Sequence, residues 1–414
     1  MNLLKGSAVA LALRVLSALI SFVVAASITR NLGTEQAGLY FYATSLIVLV
    51  VSVCSLGLNN TVLKHVAIYD SQKDNNKLNA VVNKSVLWSI SFSLLVITIL
   101  ALLSLLLPFS KQPLTYQYYF LLTIPSLAII ALISHAIQAK GNIAVSMIMA
   151  GLIQPLSFLL INFYREPKDI TTLAECYLIS VTIALIFSAV FWLRRSQFIF
   201  TINFDSKVLL ASCSSLLIFQ VFQQFNTVIG QLFLGVWGSN TEVALFAVSI
   251  KVATLTSFIM FAVNRVVAPK FASLYAKNDM EGLQKAVTQS KRIMLAATSP
   301  LICILLIFPE FVLSLFGSEY KESAPVLRVL ALIQFFSVWV GSVSYLLIMT
   351  GEEKTHRNNV IIASILSSVL GCIIVPYYPL WGAVIISGLC VILTCYLSSR
   401  AVTNKLNIKI FSLF

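Results

Sequence analysis

Two basic residues stand where ionisable groups are costly. Arg14 lies in the middle of the apolar stretch 6–28, and Lys251 in the middle of the stretch 241–264. A charge at membrane depth costs about 3 kcal/mol or more and persists where it faces a partner or a water-filled cavity. Neither side chain can easily carry its charge to the interface from mid-span, as long cations near helix ends do. Stretches one, two, seven and eight hold no mid-span Asp or Glu. Two such cations suit an anionic ligand such as a diphosphate. Arg grips phosphate oxygens in pairs, and Lys acts as a point charge. Arg30 and Arg265 stand at opposite mouths and could guide the anion in or out. Lys64 and Lys270 occupy matching places on one face, where a purely topological role explains them at least as well. Glu175, Glu310 and Arg328 sit near span ends and can snorkel to the interface. Trp339 is mid-span and supports two readings: an aromatic packed between helices, or a stacking surface for a sugar or lipid.

Other chemistry finds no footing. His65, His135 and His356 are scattered. The seven cysteines lie in apolar segments without a CxxC pair, so they read as small buried side chains and not as metal ligands or a disulfide framework. No nucleophile or metal constellation is visible. The expectation is a protein that is not an enzyme and carries no cofactor or metal. The first apolar run is too long for a signal-peptide core and lacks a small-residue cleavage site.

The elements that must hold these cations are helices in lipid. Hydrophobic residues make up 59% of the chain, charged ones 10%, and the mean hydropathy is +0.93. A soluble domain is about 25% charged. In lipid every backbone amide needs an internal partner, which leaves helices or a closed barrel. Barrels alternate apolar and polar residues, whereas Leu94–Leu107 and Ile361–Val375 are long, mostly apolar runs. At about 20 residues per crossing, twelve spans emerge: 6–28, 37–58, 86–107, 116–137, 143–163, 172–193, 209–235, 241–264, 292–316, 326–350, 357–378 and 381–402. With the N-terminus cytoplasmic, twenty of the 28 Lys and Arg fall in inner segments and five in outer loops. That split predicts a multi-pass chain with both termini inside. The charge of +13 is spread over seven inner segments, which fits topology and excludes a nucleic-acid patch. Trp88, Trp192, Trp237 and Trp381 near span ends fit an interfacial belt.

The chain also repeats itself. Lys64, Ala67 and Tyr69 are echoed by Lys270, Ala272 and Tyr275, and Asp74, Leu78 and Val82 by Asp279, Leu283 and Val287, at offsets of 205 or 206. This predicts two six-helix bundles, 1–205 and 206–414, of one orientation, with a substrate path between them and alternating access. Leu78 with Val82, and Leu283 with Val287, stand four apart. They fit either short amphipathic helices on the cytoplasmic surface or plain connectors.

Family features sit on the same frame. Ser27-Ile28-Thr29-Arg30-Asn31-Leu32-Gly33, then Ala37-Gly38-Leu39-Tyr40 and Leu56-Gly57-Leu58, resembles the opening of Wzx-type polysaccharide flippases. These belong to the multidrug/oligosaccharidyl-lipid/polysaccharide (MOP) exporter superfamily. Phe308-Pro309, Leu315 to Tyr320, Val326 to Leu330 and Thr350 to Lys354 are similar to that family's ninth-to-tenth helix region and exit. The resemblance implies an all-α, MATE-like pair of bundles. It implies export of undecaprenyl-diphosphate-linked O-antigen or other surface-polysaccharide units across the bacterial inner membrane. It also implies a polymerase and a chain-length regulator as partners beside the membrane lipids. Asn226 stands where some relatives carry an acid, so a proton or sodium site there is in doubt. A MATE-like drug/cation antiporter is the nearest alternative, but it would need intramembrane carboxylates. Lipid II flippases usually carry two more helices. A membrane-embedded glycan polymerase or ligase would need a long catalytic outer loop, and the long loops here are on the inner side.

Overall fold

The computed structural model describes residues 3–106, 115–196, 199–408 and 410. The described residues divide into two compact units, Met1–Gln224 and Phe225–Phe414. Lys111 and Lys409 lie outside the described residues.

The first unit holds α1 (Leu3–Cys54), α2 (Leu58–Ser71), α3 (Asn75–Leu106), α4 (Thr115–Ala139), α5 (Ile143–Gly151), α6 (Ile153–Arg165), α7 (Ile170–Arg195) and the start of α8 (Ser206–Trp237). The second holds the rest of α8, then α9 (Asn240–Ala253), α10 (Thr256–Ala276), α11 (Met280–Ile307), α12 (Pro309–Ser314), a 3-10 turn at Ser318–Ser323, α13 (Ala324–Val340), α14 (Val343–Met349), α15 (Glu353–Ile374) and α16 (Pro379–Leu406). Ten segments among the described residues are long and apolar enough to cross a membrane. One of them, Ala12–Cys54, has 43 residues and would extend about 65 Å, twice a bilayer core. Gly33, at φ 74° and ψ 179°, breaks it into two spans. The 32-residue α8 supplies a further one. That agrees with the twelve spans expected.

Several spans are interrupted where the sequence suggests continuity. Span five breaks at Leu152 between α5 and α6, span eight at Thr254–Leu255 between α9 and α10, and span ten at Gly341–Ser342 between α13 and α14. Leu78, Val82, Leu283 and Val287 do not form separate surface helices. They are the buried first turns of α3 and α11, continuous with the spans that follow. The cysteines also divide: Cys54, Cys176 and Cys390 are buried, but Cys303 and Cys372 face outward.

The repeat is visible hydrogen bond by hydrogen bond. At the end of α2 the amides of Lys73 and Asp74 bond to the carbonyls of Asp70 (3.1 Å) and Tyr69 (3.0 Å). At the end of α10 the amides of Asn278 and Asp279 bond to those of Tyr275 (2.9 Å) and Leu274 (3.0 Å). Both are Schellman closures around a left-handed residue, Lys73 at φ 56° and Asn278 at φ 55°. The following aspartate then caps the next helix. Asp74 accepts from the Lys77 amide at 3.0 Å and Asp279 from the Gly282 amide at 2.8 Å. The bond from the backbone amide of Lys77 and the salt bridge to its ammonium hold the Asp74 carboxyl below the usual carboxylate range.

Each unit also pins a segment that follows a long helix, α7 in the first and α16 in the second. On α3, Lys84 donates its ammonium to the Phe204 carbonyl, and Asn83 donates to the carbonyls of Ile199 (3.0 Å) and Thr201 (3.1 Å). On α11, Lys291 donates to the Ile410 carbonyl at 3.0 Å. Phe204 and Ile410 are 206 residues apart, the offset of the repeat. Phe204 packs against the cluster of Leu58, Val62, Leu78 and Trp192, and Ile410 lies in that of Phe271, Leu283, Leu346 and Leu406.

Candidate functional site

Lys251 lies on α9, inside the candidate membrane span Asn240–Ala276 of the second unit. The helix under it, α9, starts from a capping box in which Ser239 and Glu242 satisfy each other's backbone amides. Val243 to Ser249, Val252 and Ala253 are buried, so α9 is packed along most of its length. The break at Thr254–Leu255 places Lys251 in the last turn of α9 and not within an unbroken helix, inside the candidate span Asn240–Ala276. A lysine there could complement the free carbonyls of the helix end. Those carbonyls, however, already have partners. The Thr254 amide bonds to Ile250 at 2.9 Å, the Leu255 amide to Val252 at 3.1 Å, and the Thr254 hydroxyl to Lys251's own carbonyl at 3.0 Å. The ion pairs Lys77–Asp74, Lys140–Asp70, Arg165–Glu175 and Lys405–Glu352 all sit at helix ends or connections, and none includes Lys251. Lys251 is half-buried as a residue, and a cation so placed can serve an anion.

Arg14 lies on α1 in the first unit and is exposed. One turn on, the Ser17 hydroxyl donates to the Gly151 carbonyl at the end of α5. That bond ties this stretch of α1 to the α5–α6 break. Arg30 is exposed in the turn before Gly33. Arg265 is exposed on α10, its guanidinium 4.9 Å from the Phe261 ring centroid. Lys64 on α2 and Lys270 on α10 are exposed at matching places in the repeat. Trp339 is 42% exposed in the last turn of α13, edge-on to Phe335 at 6.3 Å.

Asn226 has a local partner. Its side-chain oxygen accepts from the Ser364 hydroxyl of α15 at 2.6 Å. Close packing fixes this part of α8. A Cβ at Gly230 would come within 2.5 Å of Phe246 and Ser387, and one at Gly371 within 2.5 Å of Phe233. Within the second unit Asn226 therefore joins α8 to α15.

The ionisable groups that the sequence places near span ends differ in their partners. Glu175 pairs with Arg165 at 3.1 Å, whereas Arg328 donates to the Leu306 carbonyl at 3.1 Å. The lysine pins at Lys84 and Lys291 were not anticipated from sequence. Their partners are backbone carbonyls about 120 residues away, which leave no side-chain signature.

Known proteins fit this architecture. The profile of a family described as "Polysaccharide biosynthesis protein" matches residues 3–275, and that of MatE matches residues 215–376. An inward-facing multidrug resistance MATE family transporter of the MOP superfamily superposes with a TM-score of 0.80 at 15% identity, covering 97% of this chain and 99% of the other. The lipid II flippase MurJ in an inward closed conformation gives 0.73 at 16%, covering 94% and 86%. A MOP superfamily transporter from Pyrococcus furiosus gives 0.66 at 15%, covering 98% and 95%. No protein of curated function matches the sequence.

Proposed function

From the chain's membership of the polysaccharide biosynthesis protein family, within the MOP superfamily of transporters, we propose that it flips undecaprenyl-diphosphate-linked oligosaccharide from the inner to the outer leaflet of the bacterial cytoplasmic membrane. The observation that carries this reading is Lys251. It is a cation at membrane depth, held on a packed helix whose terminal carbonyls are satisfied, with no part in any of the ion pairs named above. Lys251 and Arg14 are each contacts for the diphosphate during transfer. The sugar follows through a water-filled path, and the prenyl tail stays in lipid. An inside-negative potential favours outward movement of the anion by about 2.3 kcal/mol per charge per 100 mV when the full field is crossed. A polymerase and a chain-length regulator use the product on the outer face.

A drug/cation antiporter is the second reading, and the MatE match favours it. Such a transporter needs carboxylates at membrane depth. All fifteen Asp and Glu here fall in connections, at caps, or within two turns of a helix end or break. That distribution supports an anionic cargo.

The test is transfer of a fluorescent polyprenyl-diphosphate oligosaccharide in proteoliposomes. A charge-assisted bond to the diphosphate contributes about 1.5–3 kcal/mol, so Lys251→Ala and Arg14→Ala should each slow transfer by roughly 10- to 100-fold with normal insertion. Lys251→Arg should retain most of it. Wild-type transfer in both alanine variants would sink the site assignment.

A further inference from the structure

α10 has two opposed faces. At about 100° per residue, its buried Asn264, Ala268 and Phe271 lie on one side, and Phe271 packs into the core cluster of the unit. Arg265, Val266, Pro269, Lys270, Ser273 and Lys277 are exposed, and they fall within an arc of about 140° on the other side. That arc holds three cations and no acid. Val266 is 71% exposed between two of the cations, and Phe261 carries the Arg265 guanidinium over its ring. The nearest acids in sequence, Asp279 and Glu281, belong to the start of α11, where Asp279 is engaged as the helix cap.

Helix length places this face at the membrane boundary. Asn240–Ala276 comprises 37 residues, about 55 Å of helix against a hydrocarbon core of about 30 Å. Counted from Val243, the first apolar residue after the Glu242 cap, roughly 20 residues fill the core and end near Val263. Arg265 stands where the helix leaves hydrocarbon, Lys270 follows within about 10 Å at headgroup level, and Lys277 lies about 20 Å on, at the aqueous edge.

We propose that the Arg265–Lys277 face of α10 binds the anionic phospholipid headgroups of the leaflet at its own end of the membrane. Charge complementarity selects this occupant. Three cations flank an exposed apolar patch, the arrangement that an interfacial helix presents to acidic lipid. A zwitterionic headgroup gains no net attraction from such a face. The assignment is independent of the diphosphate site, which uses a cation at membrane depth. Arg265 and Lys270 are then lipid anchors and not guides for the transported anion.

The test uses the full chain, free of polyprenyl diphosphate, released from mixed phosphatidylglycerol and phosphatidylcholine micelles into a mass spectrometer. Each basic group near an acidic surface is worth about fivefold in lipid affinity. The wild type should retain phosphatidylglycerol over phosphatidylcholine. The triple variant Arg265→Gln, Lys270→Gln, Lys277→Gln should lose at least tenfold of that preference. A charge-matched control, Arg194→Gln, Arg195→Gln, Lys207→Gln, should keep it. Unchanged preference in the α10 variant overturns the proposal, and so does equal loss in the control. Because no glycolipid is present, neither result bears on the diphosphate site.

Discussion

Lys291 shows how one residue can escape a charge-counting argument. It sits among the basic residues of an inner segment, yet it is only 2% exposed and spends its ammonium on the Ile410 carbonyl. A hydrogen bond to a charged group contributes about 1.5–3 kcal/mol. Lys291→Met keeps the apolar stem and removes that bond. Amide exchange at Ile408 and Ile410 should then rise roughly 10- to 100-fold, because local opening follows the lost free energy. Unaltered exchange there would mean that packing alone holds the tail. Glu352 makes a second prediction at this scale. The Lys405 ammonium and the Thr355 hydroxyl hold its carboxyl below the usual range. A depressed carboxyl pKa stabilises the fold above its unfolded value, and the effect is lost as pH falls through the folded value. Wild type should therefore lose more melting temperature between neutral pH and pH 3 than Glu352→Gln does. Parallel pH profiles would assign the loss to other carboxylates, such as Asp169, whose bonds from the Thr172 side chain and the Thr171 and Thr172 amides also depress its pKa.

The elbows that join α2 to α3 and α10 to α11 are the most closely repeated elements. Both close on a left-handed residue, and neither residue is glycine. Lysine pays about 1 kcal/mol or more for that conformation, while asparagine tolerates it better. Lys73→Gly should therefore raise stability by about 1 kcal/mol, and Asn278→Gly by less, as read from melting in detergent. A destabilised Lys73→Gly would show that the side chain matters more than the backbone, whose amides make the closure. Asp279→Ala removes a helix cap and should cost about 1 kcal/mol. The elbows were legible because a cap, a turn and two apolar positions recur at one offset, 205. The breaks inside spans were less so. Thr254 and Leu255 continue an apolar run, and Leu152 is itself a good helix former, so nothing in residue type marks the interruption. Gly341, at φ 84°, was the exception and a readable signal. Missing the Thr254–Leu255 break placed Lys251 mid-helix when it occupies the last turn of α9.

Over the whole chain, apolar length and basic residues carried most of the information. Lipid solvation forces every backbone amide into a helix, so spans can be counted from composition, and the duplicated frame follows from a constant offset. What composition hides is which side chains meet across units of this size. The positioning of Asn226 by Ser364, 138 residues away, is of that kind. The distribution of Lys and Arg makes a prediction for the complete topology. Six spans per bundle return the chain to the side from which it started, so both elbows and the end of α16 should share one face. Single cysteines replacing exposed Lys77, Glu281 and Asn404 should react with an impermeant maleimide only after cells are opened. Cysteines replacing exposed Lys168, between α6 and α7, and Lys321, in the 3-10 turn, should react in intact cells. Labelling of Lys77→Cys and Glu281→Cys from opposite sides would invert one bundle relative to the other. An inverted repeat would place like-charged elbows on both faces, against the twenty-to-five asymmetry of basic residues. It would also remove the common inner face that the proposed entry of an anionic lipid-linked cargo requires.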